Sequence, residues 1–283
     1  MPQLLLNTIA LDPNRWTADK QPDTELSAVL PAVVAAGFRA LEVWQYHLST
    51  LDAAGLDALV TAARDLGVEA PIVGVYPALH LEGEARERQW SELVLTAQRA
   101  QRLGTRAVKM FAGRLGSDAA SDLEVERSVA FARDLEGWLA DRGMALIAEA
   151  HPDTLCDSVP ATRRFLEAVG GDVGVCYQPY DFVSTARTLA DYRALRARVV
   201  HVHLQGRRND AMSLLEDADI DYAAFLGALA ADGFEGALSI EFVEGCVVPD
   251  PSAFRLEVVL ANAQRDRAFL EAACAQVGLA LDL

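Results

Sequence analysis

The sequence predicts an α/β protein, a single (β/α)8 TIM barrel occupying residues 1–283 as one domain. Three observations predict it. Eight short apolar or β-branched runs alternate with longer amphipathic segments, the pattern of repeated β/α units. Several of those segments end in a glycine just before the next run. No linker, low-complexity tract or shift in composition divides the chain, and about 250 residues is the usual size of such a barrel.

In chain order the runs expected as strands are residues 3–9, 39–44, 69–76, 106–111, 144–149, 172–177, 198–204 and 237–243. Between them, stretches rich in Ala, Leu, Glu and Arg at 24–36, 53–66, 84–103 and 121–142 are each long enough for three or more helical turns, and four more follow. Gly37, Gly67, Gly104, Gly143 and Gly233 stand where helices should stop. Strands buried on both faces read as apolar runs, and residues 199–204 and 237–243 do so apart from a few polar positions. The segment 245–252, with Pro249 and Pro251, reads as a long loop after the last strand. A doubly wound open sheet is the competing architecture. It lacks support because the first β/α turn has no glycine-rich phosphate cradle, and eight units exceed what most such sheets use.

Composition narrows the function. At 52% hydrophobic and 23% charged residues the chain has material for an extensive core. Its 41 acidic against 25 basic residues give a net charge of −16, a field that repels nucleic acid and anionic membranes. Cys156, Cys176, Cys246 and Cys274 form no CxxC pair, which fits reduced thiols and a cytoplasmic location. The start MPQLLLNTIA turns polar at Asp12 without a basic leader, and no uncharged apolar stretch reaches the roughly 20 residues of a membrane span, so neither export nor insertion is expected.

In a barrel, ionisable side chains near the C-terminal ends of strands are there for chemistry. Strand five ends in Glu149 with His151 beyond it, strand seven holds His201 and His203, strand eight carries Glu241, and strand six leads into Gln178 and Asp181. A carboxylate in an apolar strand needs a cation or hydrogen bonds, since burying it alone costs several kcal/mol. A divalent metal would satisfy both glutamates: two carboxylates, an imidazole and an amide oxygen make a hard donor set suited to Mn, Mg, Co or Zn. His201 and His203 share one face of their strand by the two-residue period; His203, nearer the C-terminal end, is the expected ligand and His201 the packed core residue. Glu42 and Trp44 end strand two, where Glu42 could orient a ligand or substrate and Trp44 could wall a pocket. His80 reads as a solvated surface residue.

Glu149 with His151, the His201-Val202-His203 pair, the Ser239-Ile240-Glu241-Phe242 strand and Gly37-Phe38-Arg39-Ala40-Leu41-Glu42-Val43-Trp44 together resemble the xylose-isomerase-like barrels, the sugar isomerase and epimerase superfamily, over nearly the whole chain. That resemblance implies a metal held by Glu149, His203 and Glu241, with a fourth ligand after strand six. There the family carries Asp, in an Asp-x-x-His or Asp-x-x-Asn stretch, and this chain has Gln178-Pro179-Tyr180-Asp181. An amide offers oxygen but no charge, so metal affinity should fall; Asp181 is the nearest substitute.

The resemblance further implies that Glu149 and Glu241 exchange a proton at the carbon beside a carbonyl of a sugar or cyclitol ketone, through an enediolate. His151, Arg207, Lys109, Asp181, Glu42 and Trp44 are the expected substrate contacts. The leading expectation is therefore a metal-dependent isomerase or epimerase acting on a small carbohydrate. A dehydratase acting on an inosose-like substrate begins with the same enolisation and is the nearest alternative. A non-catalytic sugar-binding barrel with a degraded metal site is another. Barrels of this kind also serve as abasic-site endonucleases with three zinc ions, but five histidines and a charge of −16 argue against that role. A homodimer is expected by analogy with barrels whose outer helices pair.

Overall fold

A computed structural model of the chain describes residues 1–182 and 184–283. The elements run in order β1 (Gln3–Asn7), α1 (Leu26–Ala35), β2 (Ala40–Trp44), α2 (Tyr46–Ser49), α3 (Ala53–Leu66), β3 (Glu69–Val75), α4 (Gly83–Gln101), β4 (Ala107–Phe111), α5 (Asp122–Ala140), β5 (Ala145–Glu149), α6 (Val159–Val169), β6 (Gly174–Tyr177), α7 (Thr185–Leu195), β7 (Val199–Arg208), β8 (Ala211–Ser213), α8 (Tyr222–Ala231), β9 (Ala237–Phe242) and α9 (Leu256–Val277). Strands β1 to β6 pair in sequence, β1 also pairs β9, β9 pairs β7, and β7 pairs β6. Every one of those pairings is parallel, so eight strands close into a barrel with the helices outside.

Local chemistry explains the punctuation. Ser121 and Glu124 form a reciprocal capping box that starts α5, and Asp52, Ser158, Ser184 and Asp221 accept backbone N–H groups at the starts of α3, α6, α7 and α8. Gly67 ends α3 at φ 63°, a left-handed conformation that disfavours any side chain, and the other four predicted helix-stop glycines also have positive φ.

Most boundaries shift by a residue or two from the sequence reading, and three differences have a local cause. Strand one stops at Asn7, because the Asn7 side chain accepts the N–H of Ile9 and turns the chain into a 3-10 helix. Strand seven does not stop at 204 but runs to Arg208, because residues 206–208 pair antiparallel with β8 in a hairpin that apolar periodicity does not signal. The loop expected at 245–252 is continued by a short 3-10 turn at Pro251–Ala253.

Inside the barrel, side chains alternate in and out along each strand. Leu5, Ala40, Ile72, Ala107, Ile147 and Cys176 pack together as an apolar inner layer, while outward residues such as Leu6, Leu41, Val43 and Val108 join the larger core beneath the helices. Two residues further along several of these strands, the inward positions are Asn7, Glu42, Gly74, Lys109 and Glu149, so a polar layer lies over the apolar one. All four cysteines are free and buried. No helix among the described residues is long and apolar enough to cross a membrane.

Candidate active site

The polar layer is a buried ion-pair network. Glu42, Lys109, Glu149, His201 and His203 are all fully buried. Lys109 Nζ lies 2.5 Å from Glu149 Oε2 and 3.4 Å from Glu42 Oε1. Gly74 makes room for this contact, since a Cβ there would sit 3.1 Å from Lys109 Cε and 3.2 Å from Glu42 Oε1. The other Glu42 oxygen accepts from His203 Nε2 at 2.9 Å and lies 3.4 Å from His201 Nε2. Burial pushes the Glu42 carboxyl up, but His203, Lys109 and His201 outweigh it and hold the group well below the usual carboxylate range.

The two histidines differ in charge. Burial pushes His201 down to about 3 despite Glu42, so its ring is neutral, and its Nε2 meets Ser239 Oγ at 2.7 Å. Burial also opposes charge on His203, yet the carboxylates of Glu241, Glu42 and Glu149 around it raise it well above the ordinary histidine value. Because Nε2–H of His203 is committed to Glu42, Nδ1 is the nitrogen whose proton a metal ion would replace. It has no hydrogen-bond partner, and it faces Glu241 Oε1 at 3.3 Å and Glu149 Oε1 at 3.7 Å. The three donor atoms lie within 4.8 Å of one another. An imidazole with one nitrogen bound to a carboxylate and the other turned to two more carboxylates is the arrangement that holds a divalent metal. The residues present therefore fit such an ion. A second close trio, Cys176, His201 and His203, suits it less: burial pushes the Cys176 thiol up to about 12, so it stays protonated.

Gln178 is part of a chain of amides whose direction is set at one end. Arg207 can only donate, and its Nε donates to Gln205 Oε1 at 3.2 Å. The Gln205 amide nitrogen therefore donates to Gln178 Oε1 at 3.2 Å and to Glu241 Oε2 at 3.0 Å. That leaves Gln178 Nε2 to donate to Glu149 Oε1 at 3.1 Å. The position after β6 thus turns an N–H toward the glutamate, and the amide oxygen is engaged by Gln205.

Above this network opens a cavity of about 220 Å³. Of the two glutamates, only Glu241 reaches its wall. One side is aromatic: Trp44 joins Tyr76, Phe111 and His151, with Tyr76 edge-on to Phe111 at 4.8 Å and His151 against Phe111 at 4.3 Å. His151 Nδ1 donates to the Pro152 carbonyl at 2.6 Å, which leaves Nε2 as an acceptor. The other side holds Trp16 and Phe242, and the cations Arg15, Lys20 and Arg114 complete the lining.

The structure thus gathers Glu42, Lys109, Glu149, Gln178, His203 and Glu241 into one buried network and sets Trp44 and His151 on the cavity wall. Lys109 and Glu42 lie beneath the wall, with no exposed surface. Asp181 is away from the wall and pairs with Arg187 at 3.0 Å, while the Arg207 guanidinium stacks over Phe182 at 4.7 Å. Sequence reasoning missed Gln205, although the two-residue period that links His201 and His203 continues to it. It also missed Arg15, Lys20 and Arg114, whose signal is placement in loops that follow the C-terminal ends of β1 and β4.

A family model described as xylose isomerase-like TIM barrel matches residues 30–262. A 3-dehydroshikimate dehydratase of Bacillus anthracis is 24% identical over 213 residues, covering 72% of this chain and 75% of that protein. Two solved structures superimpose over nearly the full length. An L-ribulose 3-epimerase has a TM-score of 0.74 at 20% identity, with 98% of this chain and 96% of that one covered. D-psicose 3-epimerase from Clostridium cellulolyticum H10, solved with D-tagatose, has a TM-score of 0.74 at 16% identity, with 96% and 99% covered.

Proposed function

The chain belongs to the xylose isomerase-like TIM barrel family and is an enzyme of that sugar isomerase- and epimerase-like group, and on that premise we propose that it moves a proton at the carbon beside a carbonyl of a small polyhydroxylated substrate, a sugar or cyclitol ketone, with the help of a divalent metal. The observation that carries this reading is the unpartnered Nδ1 of His203, fully buried and turned toward Glu149 and Glu241. Glu149, His203 and Glu241 would hold the ion, and Mn, Mg, Co and Zn all suit two carboxylates and an imidazole. When bound, the metal supplies a Lewis acid for the substrate's carbonyl oxygen.

The protein's own groups supply the rest. Glu241 borders the cavity and is the carboxylate placed to take and return the proton. Gln205 fixes one of its oxygens and leaves the other facing His203. Glu149, on β5 with β6 and β7 between it and Glu241, is the second carboxylate for exchange on the opposite face. Lys109 and Gln178 hold it in place. Trp44, Tyr76 and Phe111 provide apolar faces for the ring or carbon chain and exclude water.

One observation favours a second reading. Glu149 does not reach the cavity wall, and chemistry that needs a single base beside the carbonyl, followed by loss of a β-hydroxyl, is dehydration. The test for both is proton wash-in. Purified protein with added Mn, Mg, Co or Zn is incubated in deuterated water with a panel of ketoses and inososes and followed by NMR, alongside elemental analysis of bound metal. The expected result is deuterium at the carbon beside the carbonyl, reduced about 10²–10⁴-fold in Glu241→Gln; appearance of an unsaturated product marks the dehydratase. Absence of both metal and exchange, in wild type and in Gln178→Asp, would leave a sugar-binding barrel without turnover and sink the proposal.

A further inference from the structure

We propose that the cavity beside Glu241 is built for a substrate bearing an anionic group, a carboxylate or a phosphate, which Arg15, Lys20 and Arg114 receive; the inference rests on the reading above only in placing substrate in that cavity. In a chain of net charge −16, three cations line this one cavity against a single carboxylate. None of the three has a carboxylate oxygen within 4.0 Å among the described residues, whereas Arg86, Arg102, Arg187 and Arg196 on the outer helices each do. The buried carboxylates below do not need them either. Glu42 and Glu149 pair with Lys109, and Glu42 and Glu241 with His203, inside the network itself.

Arg15 carries the argument. It is 2% exposed, its Nη atoms donate to the carbonyls of Asp12 and Cys246, and its Nε has no partner. Two carbonyl acceptors orient the guanidinium; burial opposes its charge, and Asp12 offsets part of that cost without a carboxylate oxygen within 4.0 Å of it. Its Cζ lies 5.6 Å from the Trp16 ring centroid and 5.7 Å from that of Phe242, which hold it at the wall.

The other two cations are held as firmly. Arg114 is tied to the Tyr76 carbonyl by Nε at 3.1 Å and Nη2 at 2.9 Å. Lys20 donates to the Arg15 carbonyl at 2.7 Å from a left-handed backbone, φ 49°, that a side chain ordinarily avoids. Two positive groups converge at one mouth, each acting on the other, and an anion between them relieves the repulsion. The cavity volume of about 220 Å³ limits the ligand to a single ring or a five- to six-carbon chain.

The test uses three probes with one carbon skeleton and no reactive carbonyl: glucitol, gluconate and glucitol 6-phosphate, titrated into the purified full chain by calorimetry at low and at high NaCl. The expected result is at least about tenfold tighter binding of one anion than of neutral glucitol, weakened by salt. Which anion wins separates carboxylate from phosphate. The preference should collapse to within about threefold in Arg15→Met and, in case that variant misfolds, in the surface double variant Lys20→Gln with Arg114→Gln. Equal affinity for neutral and charged probes, failure of both anions to bind at millimolar concentration, or a preference untouched in the variants would overturn it. Because none of the probes can enolise, anion binding without deuterium wash-in refutes only the chemistry proposed above, and wash-in without anion preference refutes only this inference.

Discussion

Lys109 is the residue on which the buried network depends. It stands between Glu42 and Glu149 with no exposed surface. Lys109→Met keeps the bulk but strands two carboxylates, and breaking a buried pair in this way costs about 3–5 kcal/mol. Urea denaturation of wild type and variant should show a loss of that size, and a loss under about 1 kcal/mol would mean the pair is not formed. Gly74→Ala should act in the same direction, because the new methyl pushes against both members of the pair. These partners were only half legible in the sequence. Glu42, Glu149, His203 and Glu241 stand out because each is an ionisable side chain in an apolar strand. That Lys109 answers two of them depends on contacts across the barrel, 40 residues apart for Glu149, which no local pattern encodes.

At the scale of elements, α9 and the β7–β8 hairpin carry the next predictions. Asp266 of α9 is 1% exposed, accepts the Leu215 N–H through Oδ1 and leaves Oδ2 without a partner; burial pushes its carboxyl up to about 7. A carboxyl raised on folding holds a proton that the unfolded chain releases near pH 4, so this group's stabilising contribution is complete below that pH and falls away as pH climbs toward 7. Asp266→Asn keeps the bond to Leu215 and removes the titration. Its unfolding free energy in urea titrations should match wild type near pH 4 and exceed it at pH 8 by about 2–4 kcal/mol; an equal gain at both values would exclude Asp266 as the cause. In the hairpin, a Cβ on Gly206 would sit 2.3 Å from the Ser213 carbonyl oxygen, so Gly206→Ala should open the β7–β8 pairing and displace Gln205 and Arg207 on either side of it. The readout is weaker metal binding by calorimetry alongside lower stability. Periodicity located the strands and glycine the helix ends, yet it cut strand seven short at 204, because residues 205–208 carry a polar sequence, of which Gln205 pairs with Phe242 on β9 and 206–208 with β8.

At the scale of the whole molecule, barrel closure was the least legible feature. An open sheet and a closed barrel need the same apolar strands, and only the pairing of β6 with β7 distinguishes them. The charge of −16 was fully legible, and it predicts that self-repulsion lowers stability at low ionic strength. The thermal midpoint should rise as NaCl is added toward physiological strength, and a flat response would mean the surface charges are already locally balanced. The buried lysine has a further consequence, for how such a barrel can diverge. Single replacements of Lys109, Glu42 or Glu149 each leave an uncompensated charge in the interior, so a walk through sequence space in single steps is blocked at these positions. Neighbouring rim positions such as Trp16, Lys20 and Arg114 are exposed or half-buried and free to vary one at a time. New specificities on this scaffold are therefore reachable through the mouth of the cavity, while a change of chemistry at its floor requires joint substitutions; saturation libraries at the two sets should differ accordingly in the fraction of folded clones.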